Sequence, residues 1–264
     1  MKSALATPVD VKLMNLTFAV LVLVFVGLCA VASVRAVSRA SQFDIQGISV
    51  TGDTRHNNTV TLRANVAPRI AGTFFTVDLS KVRAAFEAAP WVRRAVVQRE
   101  FPNRLRVHLQ EHQPVALWHS ETGQGDARLV NSFGEVFEAN LGEVDQDGLP
   151  TLSGPEGQGP EVLAMYRAIE PLFTAMEMPA EELSLSGRGS WSLRLEAGAE
   201  IELGRGNVDE VIPRVERFLK TLTQVVSRYG RAPSSIESAD LRHENGYAIR
   251  LRGVSTTQVD VAKK

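Results

Sequence analysis

Ala95–Leu109 reads AVVQREFPNRLRVHL. Ala95, Val97, Arg99 and Phe101 alternate with Val96, Gln98 and Glu100, and Leu105, Val107 and Leu109 alternate with Arg104, Arg106 and His108. Side chains on a strand point to opposite faces with a period of two, so each run offers one face to a core and one to water. Pro102-Asn103 between the runs is turn chemistry, so the stretch predicts a β-hairpin. Upstream, Leu79, Val82, Ala85, Phe86 and Ala89 lie at helical spacing, with Thr76 or Asp78 able to cap and Pro90 able to stop the helix. Asp78 and Glu87 read as a cap and a solvent-facing residue of that helix. A second, short helix is expected over Thr59–Asn65. A first strand is expected through Phe43, Ile45, Ile48 and Val50, with Gly47 shifting the phase like a bulge. The order is strand, helix, helix, strand, strand.

Further upstream lies an uncharged apolar run, Leu13–Val34, of 22 residues. A bilayer-spanning helix needs roughly 20 such residues, whereas a cleavable signal core has roughly 7–15. Ala30-Val31-Ala32 has the small-x-small form of a cleavage site, but the length favours an uncleaved anchor. A lipoprotein signal ending at Cys29 is set aside, because Leu28 stands where a small residue is needed. The run has no polar stripe, unlike the helices of soluble cores. Lys2 and Lys12 on one flank nearly balance Arg35 and Arg39 on the other, so charge bias is close to nil. A short tail stays inside easily, so the expected topology has the N-terminus in the cytoplasm and the bulk of the chain outside. Cys29 is the only cysteine, so no disulfide framework marks the compartment.

Downstream, Leu129–Phe137 predicts a hairpin around Ser132-Phe133-Gly134. Glu161–Met178 and Val208–Tyr229 predict amphipathic helices, the first with a kink at Pro171. Trp191, Leu193 and Leu195 alternate, turn at Ala197-Gly198-Ala199, and return through Ile201 and Leu203. Gly204-Arg205-Gly206-Asn207 reads as the cap of the second helix, and Ile236–Leu241 with Tyr247–Leu251 as a last hairpin. These pieces predict a mainly antiparallel sheet with helices packed on it, and the whole chain an α+β fold. Phe43–His112 holds ten Lys/Arg and six Asp/Glu, a net of +4, while Gln113–Arg252 holds thirteen and twenty-two, a net of −9. The shift divides the soluble part in two. The expected organisation is a cytoplasmic tail over 1–12, a membrane helix over 13–34, folded domains over 43–112 and 113–252, and a disordered tail over 253–264.

Chemistry is scarce. His56, His108, His112, His119 and His243 show no paired metal spacing. His108 and His112 are four apart on or just after a strand, so they read as solvated surface residues. No phosphate loop, Gly-x-Ser-x-Gly or catalytic cysteine appears. No cofactor or small-molecule substrate is expected for want of such motifs, and no nucleic-acid partner, since no basic cluster interleaves with aromatics. Trp91, Trp118 and Trp191 read as packing residues.

Two runs resemble a POTRA domain, a βααββ docking module. They are Phe43-x-Ile45-x-Gly47-Ile48-x-Val50-x-Gly52 with Pro90-Trp91-Val92, and Ala95-x-Val97-x-Arg99-x-Phe101-Pro102 continuing through Leu105, Val107, Leu109, Glu111, Pro114, Ala116 and Trp118. A single span followed by one such domain resembles the FtsQ/DivIB family, in its Gram-negative form. Leu129-Val130-Asn131, Leu149-Pro150, Arg188-x-Ser190-Trp191, Leu203-Gly204-Arg205-Gly206 and Asp240-Leu241-Arg242 fit that resemblance. It implies a non-enzymatic division scaffold in the inner membrane at the septum, with its large part in the periplasm. It also implies the FtsB–FtsL coiled-coil pair as partner, with contacts at Arg188, Arg242, His243, Asn245, Gly246 and Tyr247. From the residues themselves, Tyr247-Ala248-Ile249-Arg250-Leu251 is a β-prone last strand whose edge another chain could extend. Arg93, Arg94, Arg104 and Arg106 form a second candidate surface, on the 43–112 segment that begins about eight residues after the span and so lies within reach of lipid headgroups. The competing class is a membrane-anchored cell-wall enzyme or carbohydrate-binding module.

Overall fold

The computed structural model describes residues 9–57, 62, 64, 66–120, 127–146, 148–243 and 246–254. The chain divides into two compact units, Met1–Glu111 and His112–Lys264.

The first unit begins with helix α1, Val9–Ser38. Its apolar side chains from Leu13 to Val37 are exposed on every face. Leu13–Ser38 is long and apolar enough to cross a membrane, with a mean hydropathy of 2.7. No aqueous fold leaves such a surface uncovered, whereas lipid accepts it and the helix satisfies its own backbone.

A three-stranded sheet follows in the order β1 (Gly47–Gly52), β3 (Arg104–Glu111), β2 (Val92–Glu100). The β2–β3 pair is antiparallel and β1 runs parallel to β3, Ile48 opposite Leu105 and Val50 opposite Val107. Leu105, Val107 and Leu109 are fully buried against Val82 and Phe86 of helix α2, Leu79–Glu87. Asp78 caps α2, its Oδ1 accepting from the N–H groups of Ser80 (2.9 Å) and Lys81 (3.3 Å). Most of the short helix expected over Thr59–Asn65 lies outside the described residues; Leu62 and Val66 are helical and buried. At Gly52 the backbone is left-handed (φ 99°), and a Cβ there would stand 2.2 Å from the Leu109 carbonyl oxygen, so only glycine closes β1 onto β3.

Three expectations fail in this unit. Ser41–Phe43 is a 3₁₀ turn and not strand, because the Phe43 carbonyl is taken by the N–H of Phe74 (2.7 Å) and Asp44 bridges to Thr73. Phe101, read as continuing the buried face of its strand, lies in the β2–β3 turn and is 75% exposed. Glu87 is not simply solvent-facing: its Oε1 accepts from the Ala95 N–H at 3.1 Å.

Among the described residues, the second unit forms a nine-stranded sheet in the order β12-β11-β10-β9-β8-β7-β4-β5-β6, with two helices packed on it. Its strands are β4 (Pro114–Ser120), β5 (Arg128–Asn131), β6 (Val136–Phe137), β7 (Thr151–Gly154), β8 (Ala180–Leu185), β9 (Ser190–Leu195), β10 (Glu200–Arg205), β11 (Ile236–Asp240) and β12 (Ala248–Leu251). The antiparallel pairs predominate, but β4–β7, β7–β8 and β10–β11 are parallel, so the sheet is mixed. Helices α3 (Gly159–Thr174) and α4 (Val208–Ser227) supply the crossovers that the last two of these parallel pairs require. Their buried stripes, among them Val162, Met165, Ile169 and Phe173 on α3 and Val215, Phe218 and Leu222 on α4, join one core with Leu152, Leu183 and Leu193. Trp118 and Trp191 are buried in it, the Trp191 indole donating to the Gly206 carbonyl at 2.8 Å. Helix α3 runs through Pro171, and Asn207 caps α4 by accepting from the Glu210 N–H. His112 is not a free surface group, since its ring stacks on Phe137 at 4.0 Å and its Nδ1 accepts from Asn131. The tail expected from Gly253 still packs at Val254, which is part-buried against the core; residues 255–264 lie outside the described ones.

Candidate docking surfaces

Among the described residues, strand β12 ends the sheet, pairing with β11 on one side. The register is Asp240 opposite Ala248, Ala239 opposite Ile249 and Ser238 opposite Arg250. The Arg252 N–H donates to the Ser235 carbonyl. Alternation along a strand then aims the N–H groups of Leu251 and Ile249 away from β11. Leu251 is buried and Ile249 is part-buried against the core, while Ala248 and Arg250 are exposed. Arg250 lies 3.8 Å from Glu237 of the neighbouring strand.

Tyr247 precedes the strand instead of starting it. Its hydroxyl is 2.8 Å from Thr221 Oγ1 on α4, and its ring meets Phe218 edge-on at 4.9 Å. This pin fixes the angle at which the chain enters β12. Beside the edge, an open groove of about 670 Å³ runs between the end of α4 and β12, lined by Val225, Tyr229, Ile249, Leu251 and Val254 among others. Tyr229 and Val254 carry no mark in the sequence of lining a groove. Tyr229 lies at the end of a helical stripe, where periodicity alone does not separate core from rim.

The registers from β8 to β12 carry Arg188, in the β8–β9 turn, and Arg242, just after β11, to the same end of the sheet as the start of β12. Arg188 and His243 are exposed, as is Gly246, and Asn245 lies outside the described residues. Arg242 is engaged within the chain. Its Nε donates to Asp240 Oδ1 at 2.9 Å and a terminal nitrogen to Oδ2 at 2.6 Å, a bidentate fork. The hydrogen bond from the Arg242 side chain holds the Asp240 carboxyl down to about 2, against an opposing effect of burial and with a lesser contribution from the Arg242 N–H. The signal was present in Asp240-Leu241-Arg242, where residues two apart on an extended segment share a face.

In the first unit the hairpin presents a wet face. Arg104 lies opposite Glu100 and Arg106 opposite Gln98, and Arg106 pairs with Glu100. Arg94 is exposed at the other end, and the Arg93 guanidinium donates to Gln110 at 3.2 Å. The four cations thus split between the two ends of the hairpin and do not form one cluster. At the end of β3, Glu111 is buried, and its carboxylate accepts from the N–H groups of Arg55, His56 and Asn57 at 3.0–3.1 Å. Asn57 Nδ2 adds a bond of 2.8 Å, and the His56 ring stacks on Trp91 at 3.9 Å. Burial raises the Glu111 pKa, but these donors outweigh it and the net shift is downward. Among the described residues, no three His, Cys, Asp or Glu side chains come together as a metal site.

Residues 116–242 match the family described as "Cell division protein FtsQ/DivIB, C-terminal", and residues 43–112 match "POTRA domain, FtsQ-type". The chain belongs to the FtsQ/DivIB family. Proteins named "Cell division protein FtsQ" from Burkholderia pseudomallei and Thiomonas arsenitoxydans are 39% and 40% identical to it. These similarities cover 97% of this chain and 99% of the first relative, and 94% and 89% for the second. A third protein of that name, from Shewanella oneidensis, is 34% identical over 80% of this chain and 75% of its own. The FtsQ-type POTRA match encloses β1, α2, β2 and β3. The FtsQ/DivIB C-terminal match begins inside β4 and stops at Arg242, so β12 lies beyond it. Family membership makes this a cell division protein, and α1 is consistent with a single-pass membrane protein.

Proposed function

We propose that the chain is a non-catalytic scaffold of the division machinery, and that the FtsB–FtsL pair docks on it by adding a strand to β12. In this reading α1 spans the inner membrane once, the N-terminus is cytoplasmic, and both folded units stand in the periplasm at the septum. The observation that carries the docking is the open side of β12, with N–H groups turned outward and a groove beside it for the incoming side chains. A strand edge of this kind gives affinity through main-chain bonds and specificity through pockets for alternate side chains. Arg188, His243, Gly246 and Arg250 lie around it as polar rim contacts, and Asn245 belongs to the same candidate set. Arg242 reaches a partner carboxylate only by leaving or sharing Asp240.

The test is Ile249→Pro. It deletes an N–H that faces away from β11, and proline is tolerated on edge strands in that position. Pull-down of the FtsB–FtsL pair by the detergent-extracted protein should weaken by about tenfold or more, each lost net hydrogen bond contributing about 1 kcal/mol and the strand alignment being lost with it. Ile249→Val, which keeps the N–H, should bind as the parent does. Unchanged binding by a folded proline variant would sink the edge-strand reading.

A further inference from the structure

Four phenylalanines meet where the chain leaves α1. Phe43 and Phe75 lie 4.9 Å apart between ring centroids, Phe74 and Phe75 5.2 Å, and Phe74 and Phe101 6.1 Å, all in edge-on contact. Phe75 is 49% exposed and Phe101 75%. They come from three places in the sequence that hydrogen bonds tie together. The Thr73 hydroxyl donates to the carbonyl of Ser38, the last residue of α1. The Phe74 N–H donates to Phe43, and the Gln46 N–H donates to Asn103 in the turn that carries Phe101 (2.9 Å). Arg99 clamps the loop from beneath, donating to the carbonyls of Phe74 (2.7 Å) and Val77 (2.8 Å). A clustered, exposed aromatic surface on a buttressed loop is not scattered surface apolarity and calls for a covering.

The covering follows from distance along the helix. The uncharged run ends at Val34. At 1.5 Å per residue Ser38 lies about 6 Å beyond it, inside the headgroup layer of roughly 5–8 Å that flanks the hydrocarbon. The Thr73–Phe75 loop bonded to Ser38 therefore falls at the level where aromatic side chains partition into the bilayer boundary. Arg35, in the last turn of α1, and Arg39 just after it are exposed at the same level and suit anionic headgroups, and Arg104 stands beside Gly47 at the turn that carries Phe101.

We propose that Phe75 and Phe101, backed by Phe43 and Phe74, insert into the interfacial layer of the bilayer that α1 spans and seat the POTRA unit on the membrane. The proposal rests on α1 being a membrane span. The test uses the full chain in vesicles of phosphatidylethanolamine and phosphatidylglycerol carrying lipid with a doxyl quencher, either near the headgroup or at the acyl-chain end. Three variants, Phe75→Trp, Phe101→Trp and Val22→Trp, each add one indole over the constant background of Trp91, Trp118 and Trp191. The added indoles at 75 and 101 should lose fluorescence to the headgroup-proximal quencher and little to the deep one, and the one at 22 should do the reverse. If position 22 is quenched by the deep label while 75 and 101 are quenched by neither, the seat is overturned and the patch is left to a protein partner. If position 22 is quenched by neither label, the span itself fails, and the seat with it.

Discussion

Glu111 ties the end of the POTRA sheet to a loop more than fifty residues away in sequence. Its carboxylate receives three backbone N–H groups and the Asn57 amide, and the His56 ring nitrogen lies 3.3 Å from it. Glu111→Gln keeps one oxygen and turns the other into a donor facing donors. The cost of leaving such groups unmade is about 1–3 kcal/mol, so urea unfolding of the detergent-solubilised protein should show a loss of that size in the POTRA transition. The pH dependence has a definite sign. A carboxyl whose folded pKa is lowered adds stability that is complete above its unfolded pKa and is lost as pH falls through the folded one. Acidification below the ordinary Glu value of 4.5 should therefore lower the urea midpoint of the parent more than that of Glu111→Gln. A parallel fall in both would remove Glu111 from this role. The alternation Leu105, Val107, Leu109, Glu111 already put the residue on the buried face. Its partners were illegible, because Arg55–Asn57 is a turn-like stretch with no pattern pointing to it.

At the level of elements, the sequence is most readable where one face is wet. The β2–β3 hairpin, β9–β10 and both amphipathic helices follow from their periodicity within a few residues. Thr151–Gly154 and Ala180–Leu185 did not, and neither did Pro114–Ser120. The first is a four-residue interior strand with three consecutive buried residues, which erases the alternation that marks a strand, while the second does alternate, with Leu183 and Leu185 buried and Glu182 and Ser184 half-buried, over too few residues to stand out. The helix ends came out long because the stripe continues past the last helical bond: Met178 still packs in the core after α3 has ended, and Tyr229 follows α4 at the rim of the groove beside β12. Arg104→Glu with Arg106→Glu breaks the pair of Arg106 with Glu100 and reverses charge beside the aromatic end of the unit. Exposed pairs contribute about 0.2–1 kcal/mol, so the fold should persist with a small drop in its unfolding midpoint. Septal recruitment of a fluorescent fusion should fall, because attraction to anionic headgroups or acidic juxtamembrane segments becomes repulsion. Normal recruitment would take these two arginines out of the docking surface.

For the whole molecule, the separation of roles matters more than any one contact. One helix holds the chain at a membrane, one small unit carries a basic hairpin next to that helix, and one larger unit ends in an open strand. Confinement to a membrane raises the effective concentration of partners that are held there too, so each edge or patch can be weak on its own. The division of labour predicts what the span contributes. Replacing Leu13–Val34 by an unrelated apolar helix of the same length keeps the confinement, the level of Ser38 and the loop bonded to it. It removes only contacts made by particular side chains within the bilayer. Complementation of a depleted strain by such a chimera should therefore be partial to full, with septal recruitment lowered if helix side chains take part. Deleting the span and exporting the soluble part should abolish complementation even when β12 is intact, since the edge must then find its partner in three dimensions. Full division by the soluble form would show that β12 binds tightly enough alone, and confinement would lose its place in the mechanism.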